Sequence, residues 1–143
     1  MTPKIMILDI ESSGLKADFA NCFCFGYMWH GAKQAHILST LDVVDTCKTC
    51  RRVDTAQDAK LMRLVYDKIS EADMVVTWYG KVFDWKFLNT RMLEAGLPPL
   101  PDLPHVDLFY TAKHQLALTS NRLANVQEFL RCKTAKTQLT KRV

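Results

Sequence analysis

The chain has 143 residues, 48% of them hydrophobic, and a net charge of +4 at pH 7. That is one domain's worth of sequence with enough apolar content for a core, while no apolar run approaches the roughly 18 to 20 residues a bilayer-spanning helix requires. The N-terminus, Met1-Thr-Pro-Lys running into a strand-like segment, does not read as a signal peptide, so a soluble cytoplasmic protein without membrane contacts is expected.

In chain order, residues 4–10 (KIMILDI) predict a first strand ending in an acidic residue. Residues 21–29, with CFCFGYMW, predict a second, aromatic-rich strand, and Gly31 supplies a turn before a third near residues 34–38. Cys22 and Cys24 alternate with Phe23 and Phe25 as in strand packing. Residues 40–52 are polar and irregular. Within them Cys47 and Cys50 form a CxxC ahead of Arg51 and Arg52; zinc sites usually draw on two suitably spaced pairs, and Cys22-x-Cys24 is a poor second pair, so reduced thiols are expected. Leu61, Leu64, Val65 and Ile69 predict an amphipathic helix over 58–69. Residues 74–78 (MVVTW) predict a buried strand, and residues 84–95 a helix with Phe87, Leu88 and Leu93 inward and Gly96 as its stop. After a Pro-rich connector, residues 105–109 predict a strand and residues 110–116 and 121–130 helices.

Three antiparallel strands followed by parallel strands joined through helices give a mixed sheet flanked by helices, the ribonuclease-H-like α/β arrangement. A single domain over 1–143 is expected. Arg131, Lys133, Lys136, Lys141 and Arg142, with no acid among them, form a basic C-terminal stretch suited to a phosphate backbone or simply to solvent.

Residues two apart on a strand face the same side, so Asp9 and Glu11 project together while Leu8 and Ile10 pack behind them. Two carboxylates this close repel unless a cation lies between them, and an all-oxygen ligand set favours Mg²⁺ or Mn²⁺ over zinc. Ser12-Ser13-Gly14-Leu15 then supplies small residues that let the backbone turn away and leave room for a substrate. Asp84 falls at a helix start, where an ordinary N-cap would also explain it.

Asp9-Ile10-Glu11 with Ser-Ser-Gly-Leu behind it resembles the first motif of the DEDD 3′–5′ exonuclease superfamily. Tyr79-Gly80-Lys81-Val82-Phe83-Asp84, followed by Phe87-Leu88 and Arg91, resembles the second, with Tyr79 where an Asn is usual. His105-Val106-Asp107-Leu108 and Lys133-Thr134-Ala135-Lys136-Thr137 are similar to segments of the ribonuclease-H-like branch of predicted bacterial and phage exonucleases. The resemblance covers nearly the whole chain and lacks only the third motif, a His or Tyr shortly before a final Asp.

This resemblance implies two metal ions, Mg²⁺ or Mn²⁺, held by Asp9, Glu11 and Asp84 as catalytic ligands, and hydrolysis of phosphodiester bonds in single-stranded or 3′-ended nucleic acid, DNA or RNA. Ser12, Gly14, Leu15, Tyr79, Lys81 and Phe83 are the implied nucleic-acid contacts, with Tyr79 stacking on a base in place of the amide. With the third motif missing, the chain is expected to be a truncated piece of a longer nuclease, or a short form whose site a second copy or partner completes, or one in which Asp107 stands in; activity is then expected to be impaired. His105 and His114 are candidate bases that ordinary surface packing explains as well. Lys86 and Arg91 are candidate phosphate contacts or parts of a solvated helix face. The rival expectation is a non-catalytic nucleic-acid-binding module, or a structural subunit, on a nuclease-like fold.

Overall fold

Alternation along the first strand divides the sheet into a packed and an open face. In the computed structural model, which describes residues 1–43 and 58–134, strand β1 (Ile5–Ser12) buries Met6, Leu8 and Ile10 and turns Ile7, Asp9 and Glu11 outward. It pairs antiparallel with β2 (Cys22–Trp29), which pairs antiparallel with β3 (His36–Ser39). On its other side it runs parallel to β4 (Met74–Thr77), and β4 runs parallel to β5 (His105–Asp107). The sheet order is β3-β2-β1-β4-β5. Among the described residues four helices flank it: α1 (Ala59–Ile69), α2 (Asp84–Glu94), α3 (Leu108–Gln115) and α4 (Leu123–Phe129), with a 3₁₀ turn at Thr40–Val43. This is the expected ribonuclease-H-like mixed sheet. No helix among the described residues is long and apolar enough to cross a membrane.

The core lies between the packed face and helices α1 and α2. Leu61, Met62, Val65 and Ile69 from α1 and Phe87, Leu88 and Met92 from α2 meet Met6, Leu8, Phe25 and Val75 of the sheet. Side chains of this size contribute about 1.5–3 kcal/mol each when fully buried. Two expected core residues fall outside this stripe: Leu64 and Leu93 are exposed. Each sits one residue off the buried arc, about 100° round the helix from Val65 and Met92, so it faces solvent.

Strand ends differ from the sequence expectation in ways that matter for the site. β1 continues past Ile10 because Glu11 pairs with Cys24 and Ser12 with Cys22, so both outward carboxylates ride on paired strand. The register shift between Glu11 and Ser12 makes Phe23 the extra residue of a bulge. Cys22 therefore enters the core, where burial pushes its thiol up to about 12, while Cys24 is only half buried beside Glu11. β5 stops at Asp107 rather than Phe109, since the Asp107 carboxylate accepts the Phe109 N–H (3.1 Å) and caps α3.

A buried ion pair fastens these layers together. Arg91 donates through Nε and Nη2 to the two oxygens of Asp58, each at 2.8 Å, and through Nη1 to the Ala17 carbonyl at 2.9 Å. Asp58 also accepts the Cys22 N–H at 2.9 Å. One pair thus joins α2, the start of α1, β2 and the loop after β1. Arg91 is neither a phosphate contact nor part of a solvated face; it is committed to Asp58. The CxxC at Cys47 and Cys50, with Arg51 and Arg52, lies outside the described residues, as do Lys136, Lys141 and Arg142.

Candidate active site

Asp9 and Asp84 meet at the C-terminal end of β1. Asp84 is the first residue of α2, but Phe83 holds the N-cap position and no side chain caps this helix. The N-cap explanation of Asp84 therefore fails: its carboxyl is 5% exposed and is directed at Asp9. Burial first, then the Asp9 charge, then a hydrogen bond with Asp9, push Asp84 up to about 7. The N–H groups of Ile10 and of Asp84 itself pull the other way. Even so, Asp84 Oδ2 is buried without a partner among the described residues. Leaving a buried polar atom unpaired costs about 1–3 kcal/mol, and such atoms call for an explanation.

The turn that delivers Asp84 is built around a second acid. Asp107 accepts the Tyr79 N–H (2.8 Å) and the Phe109 N–H (3.1 Å) on Oδ1 and the Lys81 N–H (3.1 Å) on Oδ2. Gly80 N–H donates to Thr77 Oγ1 at 3.1 Å. A side chain at Gly80 would put its Cβ 2.4 Å from Thr77, so only glycine passes there. Tyr79 is held at φ 63°, a left-handed conformation unusual for a large side chain. Asp107 thus serves as scaffold for the turn and as the cap of α3, with both oxygens engaged.

The histidines are placed away from the carboxylates. The strand register puts His105 on the same face as Val75 and Thr77, opposite Asp9. Its Nε2 lies 2.8 Å from Thr77 Oγ1, its ring meets Trp85 edge-on at 5.3 Å, and burial followed by the Lys81 charge lowers its pKa. His114 is exposed in the last turn of α3, stacked on Tyr110 at 6.2 Å.

The implied nucleic-acid contacts divide. Leu15, Tyr79 and Lys81 are exposed beside the carboxylate end of the sheet. Ser12 turns its hydroxyl onto the Gly14 carbonyl (2.8 Å), and Gly14 sits against Ala20 inside the same loop. Phe83 is half buried, 5.6 Å from Phe87, and belongs to the packing behind α2. Asp58 as the partner of Arg91, and Asn121, whose Oδ1 is also buried and unpartnered among the described residues, were not singled out from sequence. An isolated Asp and Asn carry no local pattern, so only the tertiary contact identifies them.

Among the described residues no group of three or more His, Cys, Asp and Glu is close enough to hold a metal ion. The structure brings together Asp9 and Asp84, with Glu11 one strand step away on the same face. Two hard oxygen donors, one exposed, one buried with an orphaned oxygen, fit a divalent cation such as Mg²⁺ or Mn²⁺, which would remove both the repulsion and the missing partner.

A family model described as the RNase_H superfamily matches residues 6–142. The chain belongs to the RNase_H superfamily. Among solved structures, this superfamily member is similar to the family B DNA polymerase from the hyperthermophilic archaeon Pyrobaculum calidifontis, with a TM-score of 0.66 and 16% identity. That match takes in 91% of this chain and 18% of the polymerase chain, so the likeness is one of fold. No curated protein matches the sequence.

Proposed function

We propose that this RNase_H superfamily member is a metal-dependent nuclease that hydrolyses phosphodiester bonds, acting from the 3′ end. The observation that carries the reading is the Asp9–Asp84 contact: two acids from distant parts of the chain, one buried with an unpartnered oxygen. Such a pair is costly for the fold alone and becomes favourable once a divalent cation is shared. Asp9 and Asp84 would hold that cation, and Glu11, one strand step on, would join when a second ion or the substrate draws it in. When bound, the metal supplies charge neutralisation and activation at the phosphate. The protein's own part is to hold Asp84 rigidly, through the Asp107-centred turn and the first turn of α2, and to leave Asp9 and Glu11 open to solvent and substrate. The 3′-to-5′ direction rests on the resemblance of the Asp9-Ile10-Glu11 and Tyr79–Asp84 segments to exonuclease motifs. DNA is the first substrate to try, because the structural neighbour is a DNA polymerase.

The test is removal of a 3′-labelled nucleotide from single-stranded DNA, and from RNA of the same sequence, in Mg²⁺ or Mn²⁺. Asp9→Ala and Asp84→Asn are expected to lower the rate about a hundredfold or more, since both disturb a preorganised site. Cleavage that survives Asp9→Ala unchanged would falsify the reading.

One observation favours a second reading, that of a non-catalytic binding module: no third acid closes the site among the described residues. Calorimetric titration with Mn²⁺ separates the two. Saturable binding that is lost in Asp84→Asn supports the nuclease, and the absence of metal binding supports the module.

A further inference from the structure

His105 contacts both ends of the turn that delivers Asp84. Its Nε2 lies 2.8 Å from the hydroxyl of Thr77, the last residue of β4, and its ring meets that of Trp85, the residue after Asp84. Gly80 joins the same two points through its backbone. Its N–H donates to Thr77 Oγ1 at 3.1 Å, and its carbonyl accepts the Trp85 N–H at 2.8 Å. Thr77, Gly80, Trp85 and His105 thus close a ring of contacts around the turn.

The hydrogens on Thr77 fix the direction of the histidine bond. A hydroxyl has one hydrogen to donate and two lone pairs that accept. Thr77 is 2% exposed, its Oγ1 already accepts from Gly80, and His105 Nε2 is the other polar atom bonded to it among the described residues. The Thr77 hydrogen is met when it points at Nε2, so Nε2 accepts and the ring proton belongs on Nδ1. A proton added at Nε2 turns that acceptor into a donor. The Thr77 hydroxyl must then rotate away, and its hydrogen is left unmet in a buried place.

The surroundings of the ring act on the same balance. Burial first, then the Lys81 charge from the turn, disfavour a cation at His105, while Asp107 on β5 favours one. The oxygens of Asp107 are already taken by the N–H groups of Tyr79, Lys81 and Phe109. From α3, Tyr110 and His114 line the same cavity as His105 and Lys81, and α2 presents the uncharged Trp85 ring.

We propose that His105 is a positioning residue for Asp84: as a neutral acceptor it orients the Thr77 hydroxyl, which holds Gly80 and with it the first turn of α2, so that a proton on His105 loosens the turn. It is the uncharged counterpart of Asp107, which grips Tyr79 and Lys81 on either side of Gly80. The inference rests on the nuclease reading only for what Asp84 is used for; the hold on the turn needs no metal.

The experiment reads the ring and the turn separately, on the full chain in EDTA. Long-range ¹H–¹⁵N spectra of the imidazoles show which nitrogen carries the proton, with the His105 signal identified by its loss in His105→Gln. At pH 8 the expected form is protonated on Nδ1. Hydrogen exchange of the Gly80 amide, corrected for the intrinsic rate at each pH, reads the turn. His105→Leu leaves no acceptor for Thr77 and should lower Gly80 protection about fivefold or more, the scale of one lost hydrogen bond. In the wild type, protection should fall in step with the protonation of His105 as the pH is lowered. His105→Gln, which offers Thr77 an amide oxygen that does not titrate, should keep its protection through the same range. With Mn²⁺ added at pH 8, His105→Leu should bind about tenfold more weakly than the wild type and His105→Gln nearly as well, as for loss of a group that orients a metal ligand.

If His105→Leu does not fold, as judged by circular dichroism, the wild-type spectra and His105→Gln decide. A proton on Nε2 at pH 8, or Gly80 protection indifferent to the titration of His105, overturns the proposal. So does a His105→Gln variant that loosens in acid as the wild type does, which would assign the effect to Asp84. Unchanged Mn²⁺ affinity in a His105→Leu chain whose Gly80 has loosened overturns it as well. A chain with the expected ring form and Gly80 response that neither binds Mn²⁺ nor cleaves upholds the hold on the turn and refutes the nuclease, whereas one that cleaves with Gly80 indifferent to His105 does the reverse.

Discussion

Asp84 follows one parallel strand and Asp107 ends another; both stand at a helix start, and both are almost fully buried, at 5% and 4% exposure. Their surroundings part there. Asp107 has three backbone N–H groups on its two oxygens. Asp84 faces another carboxylate and keeps one oxygen without a partner. Burial alone therefore does not separate these two acids; hydrogen-bond satisfaction does. Asp58 belongs with Asp107, since its two oxygens take the Arg91 guanidinium and the Cys22 amide.

This contrast predicts opposite signs for mutation. The largest loss is expected at the fully satisfied pair: Asp58→Ala leaves a buried guanidinium uncompensated and should cost about 3–5 kcal/mol. Urea unfolding followed by circular dichroism measures it. A cost below about 1 kcal/mol would mean that water reaches Arg91 and that the pair is peripheral to the fold.

Asp107→Ala comes next. Three amides lose their acceptor, and Tyr79 loses the contact that holds it at φ 63°. A cost of about 2–4 kcal/mol is expected, with a loss of activity because the turn carrying Asp84 loosens. Mn²⁺ should still stabilise Asp107→Ala, since Asp9 and Asp84 remain and the Asp107 oxygens are engaged by backbone N–H groups. Stabilisation by Mn²⁺ in the wild type together with its loss in Asp107→Ala at unchanged fold would instead give Asp107 a ligand role.

How far all this could be read from sequence follows from the range of each interaction. The succession of strands and helices was legible because period-two and helical patterns are local: alternation over residues 5–10 and the apolar run at residues 74–78 suffice to place β1 and β4. Asp9 and Glu11 were legible for the same reason, as neighbours on one strand face. Asp84 was found through the motif it resembles, while its local setting suggested only a helix cap, because the residue it faces lies 75 positions away. Arg91 was misjudged for want of Asp58, 33 residues earlier, and Leu93 because a one-residue error in helix phase turns a side chain from core to water. Asn121 carried no signal at all: its meaning lies in a missing hydrogen bond, which only coordinates reveal.

The smallest stability change, and the one of opposite sign, is expected at Asp84. Its folded pKa of about 7 lies above the ordinary 3.8. Between those values the native state holds a proton that the unfolded chain has released, so stability falls as pH rises from about 4 to about 7 and is level beyond. At about 1.36 kcal/mol per unit the penalty has a ceiling near 4 kcal/mol, and water at the exposed Asp9 side screens it to about 1–3. Asp84→Asn removes the ionisation and should raise the melting temperature relative to wild type at pH 8, with the gain shrinking toward pH 4. Divalent metal competes with the same proton: Mn²⁺ should stabilise the wild type strongly at pH 8, weakly at pH 5, and Asp84→Asn at neither. Parallel pH profiles for the two proteins, with no metal dependence in either, would return Asp84 to the class of Asp107 and leave the unpartnered oxygen as a local defect of packing.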